Sequence, residues 1–264
     1  MNSKNKIRIA VLQFACLDGK VSHNFQQASL LLNKIRKKVD LIVLPEMWPS
    51  GFRVIQGDEL LVETKKVLNE LSIYARKRGC YIVGSQLTKS KKGFCNTASI
   101  MDPKGKIIAQ YDKVHLFKIG GESKKFVPGL KTVVAKTKLG KMGLAICYDI
   151  RFPEFIRKEV LQGAEILVIP SAWPKVRIEH YRTLLIARAI ENQCFVISSN
   201  KVGKNAEGIE YGGHSVVIGP WGEVYGELKN KTGILEVEID LGRVKEIRKK
   251  FPVLEARKPR VYLS

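Results

Sequence analysis

Cys147 ends a short apolar run, Gly143-Leu144-Ala145-Ile146, and Pro153 a few residues later opens what reads as a helix. A thiol at such a junction lies on the carboxyl edge of its strand, where open α/β sheets carry ligand chemistry and the first helix amides favour a thiolate. It could attack a carbonyl carbon. At its ordinary pKa of about 8.5, however, only a few per cent is ionised at neutral pH, so the thiol needs a base. Of the histidines His23, His115, His180 and His214, only His115, just after Lys113, follows a comparable strand end. Glu46 is the better base, because it closes the apolar run Leu41-Ile42-Val43-Leu44, where Pro45 stops the ladder. Lys113 follows a hairpin strand, and its ammonium together with the Tyr148 backbone amide could stabilise charge on a carbonyl oxygen. The three side chains suit nucleophilic acyl transfer.

The elements that must position them alternate. Strands are predicted at 8–13, 40–46 and 80–85, with helices at 21–38 and 59–78, the second closed by Gly79. A hairpin at 96–101 and 107–111 turns at Asp102-Pro103-Lys104-Gly105-Lys106 and leads to Lys113. The stretch 117–130 has no clean period, as functional or mobile loops often do not. Beyond it come strands at 132–135, 142–147, 166–170 and 194–199, with helices at 152–162 and 178–192. Antiparallel strands at 214–218, 224–225 and 233–239 precede a last helix at 241–250.

Three passages return in order. Leu41-Ile42-Val43-Leu44-Pro45 is echoed by Ile166-Leu167-Val168-Ile169-Pro170, and Cys80-Tyr81-Ile82-Val83-Gly84-Ser85 by Cys194-Phe195-Val196-Ile197-Ser198-Ser199. The hairpin turn is echoed by Gly219-Pro220-Trp221-Gly222-Glu223. Two halves with one plan follow, each a sheet with helices on one face and an apolar face to cover. Packing the bare faces together gives an α/β fold, a four-layer α-β-β-α sandwich of pseudo-symmetric halves. Ser171 stands where Glu46 would be repeated, which predicts one composite site rather than two.

The chain of 264 residues, 45% hydrophobic and 27% charged, can bury a sizeable core, and we read residues 1–264 as one domain. No apolar run is long enough to span a membrane and the N-terminus lacks an apolar leader core, so a cytoplasmic protein without a membrane partner is expected. The five cysteines are scattered and do not cluster with the histidines, so neither disulfides nor a metal site is expected. The net charge of +21 is spread in short groups such as Arg36-Lys37-Lys38 and Arg248-Lys249-Lys250, which argues against nucleic acid as the partner.

Leu44-Pro45-Glu46, Tyr111-Asp112-Lys113-Val114-His115-Leu116-Phe117 and Cys147-Tyr148-Asp149-Ile150-Arg151-Phe152-Pro153-Glu154 resemble the three signature blocks of the carbon-nitrogen hydrolase, or nitrilase, superfamily. Arg188-Ala189-Ile190-Glu191-Asn192 and the turn at Gly219 match as well, so the resemblance covers nearly the whole chain. It implies a Cys147 nucleophile, a Glu46 general base, and Lys113 as oxyanion stabiliser and proton donor, with Glu122 the additional glutamate of many amidases of the superfamily. It implies no cofactor. Met47-Trp48-Pro49-Ser50-Gly51-Phe52, Gly120-Gly121-Glu122 and Ser171-Ala172-Trp173-Pro174 look most similar to the omega-amidase branch, which acts on dicarboxylic monoamides such as 2-oxoglutaramate. A substrate carboxylate would need a cation, and Arg53, Lys118 and Arg177 are candidates, with Tyr148 at the site and Trp173 either a pocket wall or a core residue. Lys124-Lys125 departs from the branch. An N-carbamoyl amidohydrolase or a nitrilase would share the same triad, and a non-catalytic basic binding module is the reading from another class. The tail from about 251 resembles family tails that cross a dimer interface, implying a homodimer or larger homo-oligomer.

Overall fold

The computed structural model describes residues 5–54 and 57–262. The first half runs β1 (Lys6–Gln13), α1 (Val21–Leu32), β2 (Leu41–Val43), α2 (Gly57–Arg78) and β3 (Tyr81–Ser90), then the hairpin β4 (Gly93–Met101) and β5 (Ile107–Asp112). The second runs β6 (Val134–Thr137), β7 (Gly140–Leu144), α3 (Pro153–Leu161), β8 (Ile166–Ser171), α4 (Ile178–Asn192) and β9 (Phe195–Asn200). A small ribbon, β10 (Val202–Lys204) and β11 (Glu210–Gly212), precedes the hairpin β12 (Val216–Ile218) and β13 (Val224–Glu227). The described chain ends with β14 (Gly233–Asp240), α5 (Gly242–Lys250) and α6 (Pro259–Tyr262).

The two large sheets have the orders β14-β1-β2-β3-β4-β5 and β6-β7-β8-β9-β12-β13, so they match strand for strand. In each, three parallel strands are flanked by antiparallel ones. The echoed sequences fall on β2 and β8, on β3 and β9, and on the two hairpin turns. What the echo did not reveal is the edge. The first sheet is completed by β14 from the far end of the chain, paired with β1 from Lys6↔Asp240 to Gln13↔Gly233.

Strand alternation explains the layering. Ile7, Ile9 and Val11 of β1 point into the core shared with the second sheet, whereas Ala10 and Leu12 pack with Ala28, Leu31 and Leu32 of α1 and with Leu60, Val67 and Leu71 of α2. On the far side Ile156 and Val160 of α3 and Leu185 and Ala189 of α4 cover the second sheet. The result is the expected α-β-β-α sandwich.

Local boundaries differ for identifiable reasons. The first helix ends at Leu32, not 38: the chain tightens into i→i−3 bonds at Lys34 and Ile35, while Tyr74 and Arg78 of α2 donate to the Leu32, Ile35 and Lys37 carbonyls. The strand before Cys147 ends at Leu144, because Asp149 Oδ2 accepts the Ile146 N–H at 2.8 Å and pulls the chain into a 3-10 turn, Cys147–Arg151. His214 lies at φ +60°, and Ser215 donates its N–H to Gln13 Oε1 while its Oγ accepts the Asn200 N–H, so that strand begins only at Val216. The stretch 117–130 is not extended loop throughout but folds as two 3-10 turns, Lys118–Gly120 and Glu122–Lys124, held by Glu122.

Candidate active site

Glu46 emerges from the end of β2 fully buried. Its Oε1 accepts hydrogen bonds from Lys113 Nζ at 2.7 Å and from Asn96 Nδ2 at 2.8 Å, while Oε2 has no partner among the described residues. Asn96 is fixed in turn by Ser85 Oγ, which donates to its Oδ1 at 2.8 Å and accepts the Met47 N–H at 2.8 Å. The carboxylate therefore has one oxygen anchored and one available.

Lys113 follows β5 and is also buried, with its Nζ 2.8 Å from Glu122 Oε1. Burial opposes its charge, but the Glu122 and Glu46 carboxylates outweigh that opposition and hold its pKa well above the ordinary lysine range. Glu122 is buried as well, and burial followed by the nearby Glu46 raises its pKa despite the opposing Lys113. Its Oε2 accepts the Phe117 N–H at 2.9 Å, which locks the segment after Lys113 around the ammonium.

Cys147 sits at φ +46°, a conformation that costs a non-glycine residue roughly 1–3 kcal/mol and is commonly stored at functional sites. Burial, then the charge of Glu46, raises the thiol pKa well above its ordinary value, against the opposing pull of Lys113 and a hydrogen bond with the Ala172 backbone. Tyr148 is the second residue of the 3-10 turn, where backbone N–H groups lack partners within the turn.

The segments carrying Cys147 and Lys113 are joined by Asp149. Its carboxylate accepts from Tyr111 Oη at 2.7 Å, from the His115 N–H at 3.1 Å and from the Ile146 N–H at 2.8 Å, with His115 Nδ1 2.7 Å away. Arg188 of α4 donates to the Ile150 carbonyl at 2.8 Å and supports the turn from behind, besides pairing with Glu191.

A cleft opens onto the thiol. Cys147, Tyr148, Glu122, Trp173 and Arg177 line it, so four residues expected at the site on sequence grounds share the cleft with the sulfur. Trp173 is nearly buried and donates from Nε1 to the Arg177 carbonyl at 2.8 Å, making it both wall and core. The Arg177 guanidinium lies 5.5 Å from the Phe117 ring centroid and has no carboxylate within salt-bridge distance among the described residues. Arg53 is different. It is exposed and absent from the lining, because Asp18 Oδ1 takes the Phe52 N–H at 2.8 Å and the Phe52 ring turns inward against Phe126, leaving the next side chain outside. Lys118 is likewise exposed. Arg151 reaches the cleft, 4.8 Å over the Trp173 ring.

Three supporting residues escaped the sequence reading: Asn96, Ser85 and Lys201. The first two carried a signal, as polar side chains inside otherwise apolar strands. Lys201 is buried, with Nζ 3.5 Å from the Met47 carbonyl and over the rings of Phe52 and Tyr211 at 4.8 and 5.7 Å. No group of three or more potential metal-binding side chains occurs among the described residues, and no helix among them is long and apolar enough to cross a membrane.

A buried glutamate–lysine–glutamate cluster beneath a strained cysteine, set where two stacked sheets meet, defines a thiol hydrolase of C–N bonds. The chain belongs to the carbon-nitrogen hydrolase family, whose sequence pattern matches residues 8–249, and it is an amide-hydrolysing enzyme. It is 40% identical over 252 residues to the 2-oxoglutaramate amidase of Bacillus subtilis (strain 168), covering 95% of this chain and 97% of that one. The Caenorhabditis elegans NitFhit protein superposes with a TM-score of 0.91 at 31% identity, over 99% of this chain and 67% of that one. A mutant amidase from Nesterenkonia sp. AN1, solved with the acetamide moiety of fluoroacetamide attached to its active-site cysteine, gives 0.85 at 26% identity, covering 99% and 97%.

Proposed function

We propose that the protein hydrolyses the terminal amide of a small carboxylate-bearing monoamide, as an omega-amidase acting on 2-oxoglutaramate or a close analogue. The observation that carries the chemistry is the free Oε2 of Glu46, a buried carboxylate oxygen with no partner among the described residues, near a thiol whose pKa is held above its ordinary value by burial and by the Glu46 charge. Glu46 takes the Cys147 proton as Sγ bonds to the amide carbon. The tetrahedral oxyanion is held by the Lys113 ammonium and the Tyr148 N–H. Lys113 protonates the departing nitrogen, which leaves as ammonia, and recovers a proton from Glu46 across their 2.7 Å contact. Water then gives a proton to Glu46 and attacks the thioester carbon, and the acid leaves as Cys147 regains its proton. Glu122 positions Lys113 throughout.

The substrate assignment rests on the kinship with the Bacillus amidase and on the cleft. Arg177 offers a guanidinium without a carboxylate partner among the described residues, suited to a bidentate contact with a distal carboxylate. In this reading residues 1–264 form one catalytic domain that works in the cytoplasm without nucleic acid, membrane or metal, as a homodimer to which the tail from about 251 contributes. Sedimentation tests the dimer. Ammonia release from a panel of 2-oxoglutaramate, succinamate, butyramide, a ureido acid and a nitrile tests the substrate: the acidic amides should be turned over fastest. Faster turnover of the ureido acid or of the nitrile would point to the carbamoyl or nitrilase alternative.

A further inference from the structure

The cleft mouth is bridged by an ion pair. Lys125 Nζ lies 3.2 Å from Glu207 Oε1, and both residues line the cleft that holds Cys147. Lys125 belongs to the segment after Lys113, and Glu207 to the turn between β10 and β11, so the pair joins two unrelated loops across the opening. The partners differ in setting: the Lys125 side chain is 29% exposed and that of Glu207 57%. Asn205 Oδ1 shapes the Glu207 turn by accepting the N–H groups of Glu207 at 3.1 Å and Ile209 at 2.8 Å.

An ion pair this exposed contributes little, so a competing carboxylate can replace Glu207 at little cost. Lys125 is also tied to the catalytic cluster, since its N–H donates to the carbonyl of Glu122 at 2.9 Å and Glu122 holds Lys113. Resting on the carboxylate-bearing substrate proposed above, with Arg177 as that carboxylate's other cation, we infer that Glu207 is a built-in stand-in for the substrate's distal carboxylate, and that Lys125 exchanges the one for the other when an acidic amide enters. Lys125 is thus a specificity residue, and the doubled lysine at 124–125 has a use at its second position. Lys124 is exposed and is not in the lining.

The exchange can be read without turnover. A bromomethyl ketone bearing a terminal carboxylate and its uncharged propyl counterpart both alkylate a thiol, with Sγ displacing bromide, and peptide mass spectrometry reads the modification at Cys147. In the unmodified protein the charged reagent should react faster. Lys125→Gln should lower the charged-to-uncharged rate ratio about tenfold, Lys125→Arg should restore most of it, and Glu207→Gln should raise it several-fold. A ratio that stays the same in Lys125→Gln, or that falls in Glu207→Gln, would overturn the exchange. KM for succinamate relative to butyramide should follow the same order. If no acidic amide is hydrolysed while the alkylation ratios change as stated, the substrate proposal fails and the exchange stands.

Discussion

The Asp149 carboxylate and the Tyr111 hydroxyl meet at 2.7 Å, and this contact joins the chain segment of Cys147 to that of Lys113. With His115 on the same carboxylate, Lys113 is bracketed by two residues anchored to Asp149. The relative placement of Cys147 and Lys113 then depends on a group that need not touch substrate. Asp149→Asn keeps the volume but turns one acceptor oxygen into a donor facing N–H or O–H groups. A displacement of the order of 1 Å at a reacting group costs roughly 100-fold. Asp149→Asn should lower kcat by about that factor with a smaller change in KM, measured by ammonia release. A kcat within about threefold of wild type would show that the two segments hold their places without it.

Asn96 anchors Glu46 from the neighbouring strand, and its removal leaves Oε1 with Lys113 alone. A buried hydrogen bond to a charged group is worth about 1.5–3 kcal/mol, so Asn96→Ala should destabilise the protein by roughly that amount in urea unfolding. It should also reduce kcat at least tenfold. Unchanged unfolding would contradict the anchoring role.

Glu159 of α3 offers a test away from the site. It is fully buried, its Oε1 accepts a long bond from the Val133 N–H at 3.4 Å, and Oε2 makes no standard hydrogen bond among the described residues. Gly143 makes the space, since a Cβ there would come within 2.7 Å of Oε2. Burial raises the carboxyl pKa well above the ordinary range, with Asp149 adding in the same sense. A raised folded-state pKa means that the acid's contribution to stability is fully present below the unfolded value, about 4.3, and is lost as pH rises toward the folded value. Glu159→Gln should therefore raise Tm relative to wild type more at pH 8 than at pH 5. Equal differences at the two pH values would show that Glu159 is already ionised in the folded protein at pH 5, so that burial does not raise its pKa.

Much of this was legible in the sequence because two periodicities were clean. Apolar runs ending in Glu46 and Cys147 mark two carboxyl edges, and the echoed strands imply the layering. The meeting of the halves is visible where the Glu46 N–H donates to the carbonyl of Ser171, its counterpart in the repeat, at 3.3 Å. The β14 edge was not legible, since nothing local in Gly233–Asp240 says that it pairs with β1 more than two hundred residues earlier. Nor was the inward turn of Phe52 that leaves Arg53 in solvent, which depends on Asp18 in a distant loop. Asn96 and Ser85 act through one another, and a chain of side-chain hydrogen bonds has no period to read.

Lys113 stands between two carboxylates, so Lys113→Met should do more than remove the proposed oxyanion donor. Loss of one such donor costs roughly 100-fold or more in kcat. Leaving two buried carboxylates without their cation should in addition destabilise the fold by about 3–5 kcal/mol. Thermal melting alongside ammonia release separates the two effects. A variant with wild-type Tm would show that the cluster does not depend on its ammonium.

The most direct test follows the sulfur. The protein mixed with succinamate and quenched in acid within milliseconds should carry a succinyl group, found by peptide mass spectrometry on Cys147 and on none of Cys16, Cys80, Cys95 and Cys194. The adduct should be lost as succinate appears, and Cys147→Ala should form neither. Succinate produced at wild-type rate by Cys147→Ala, or acylation of a different cysteine, would contradict the account.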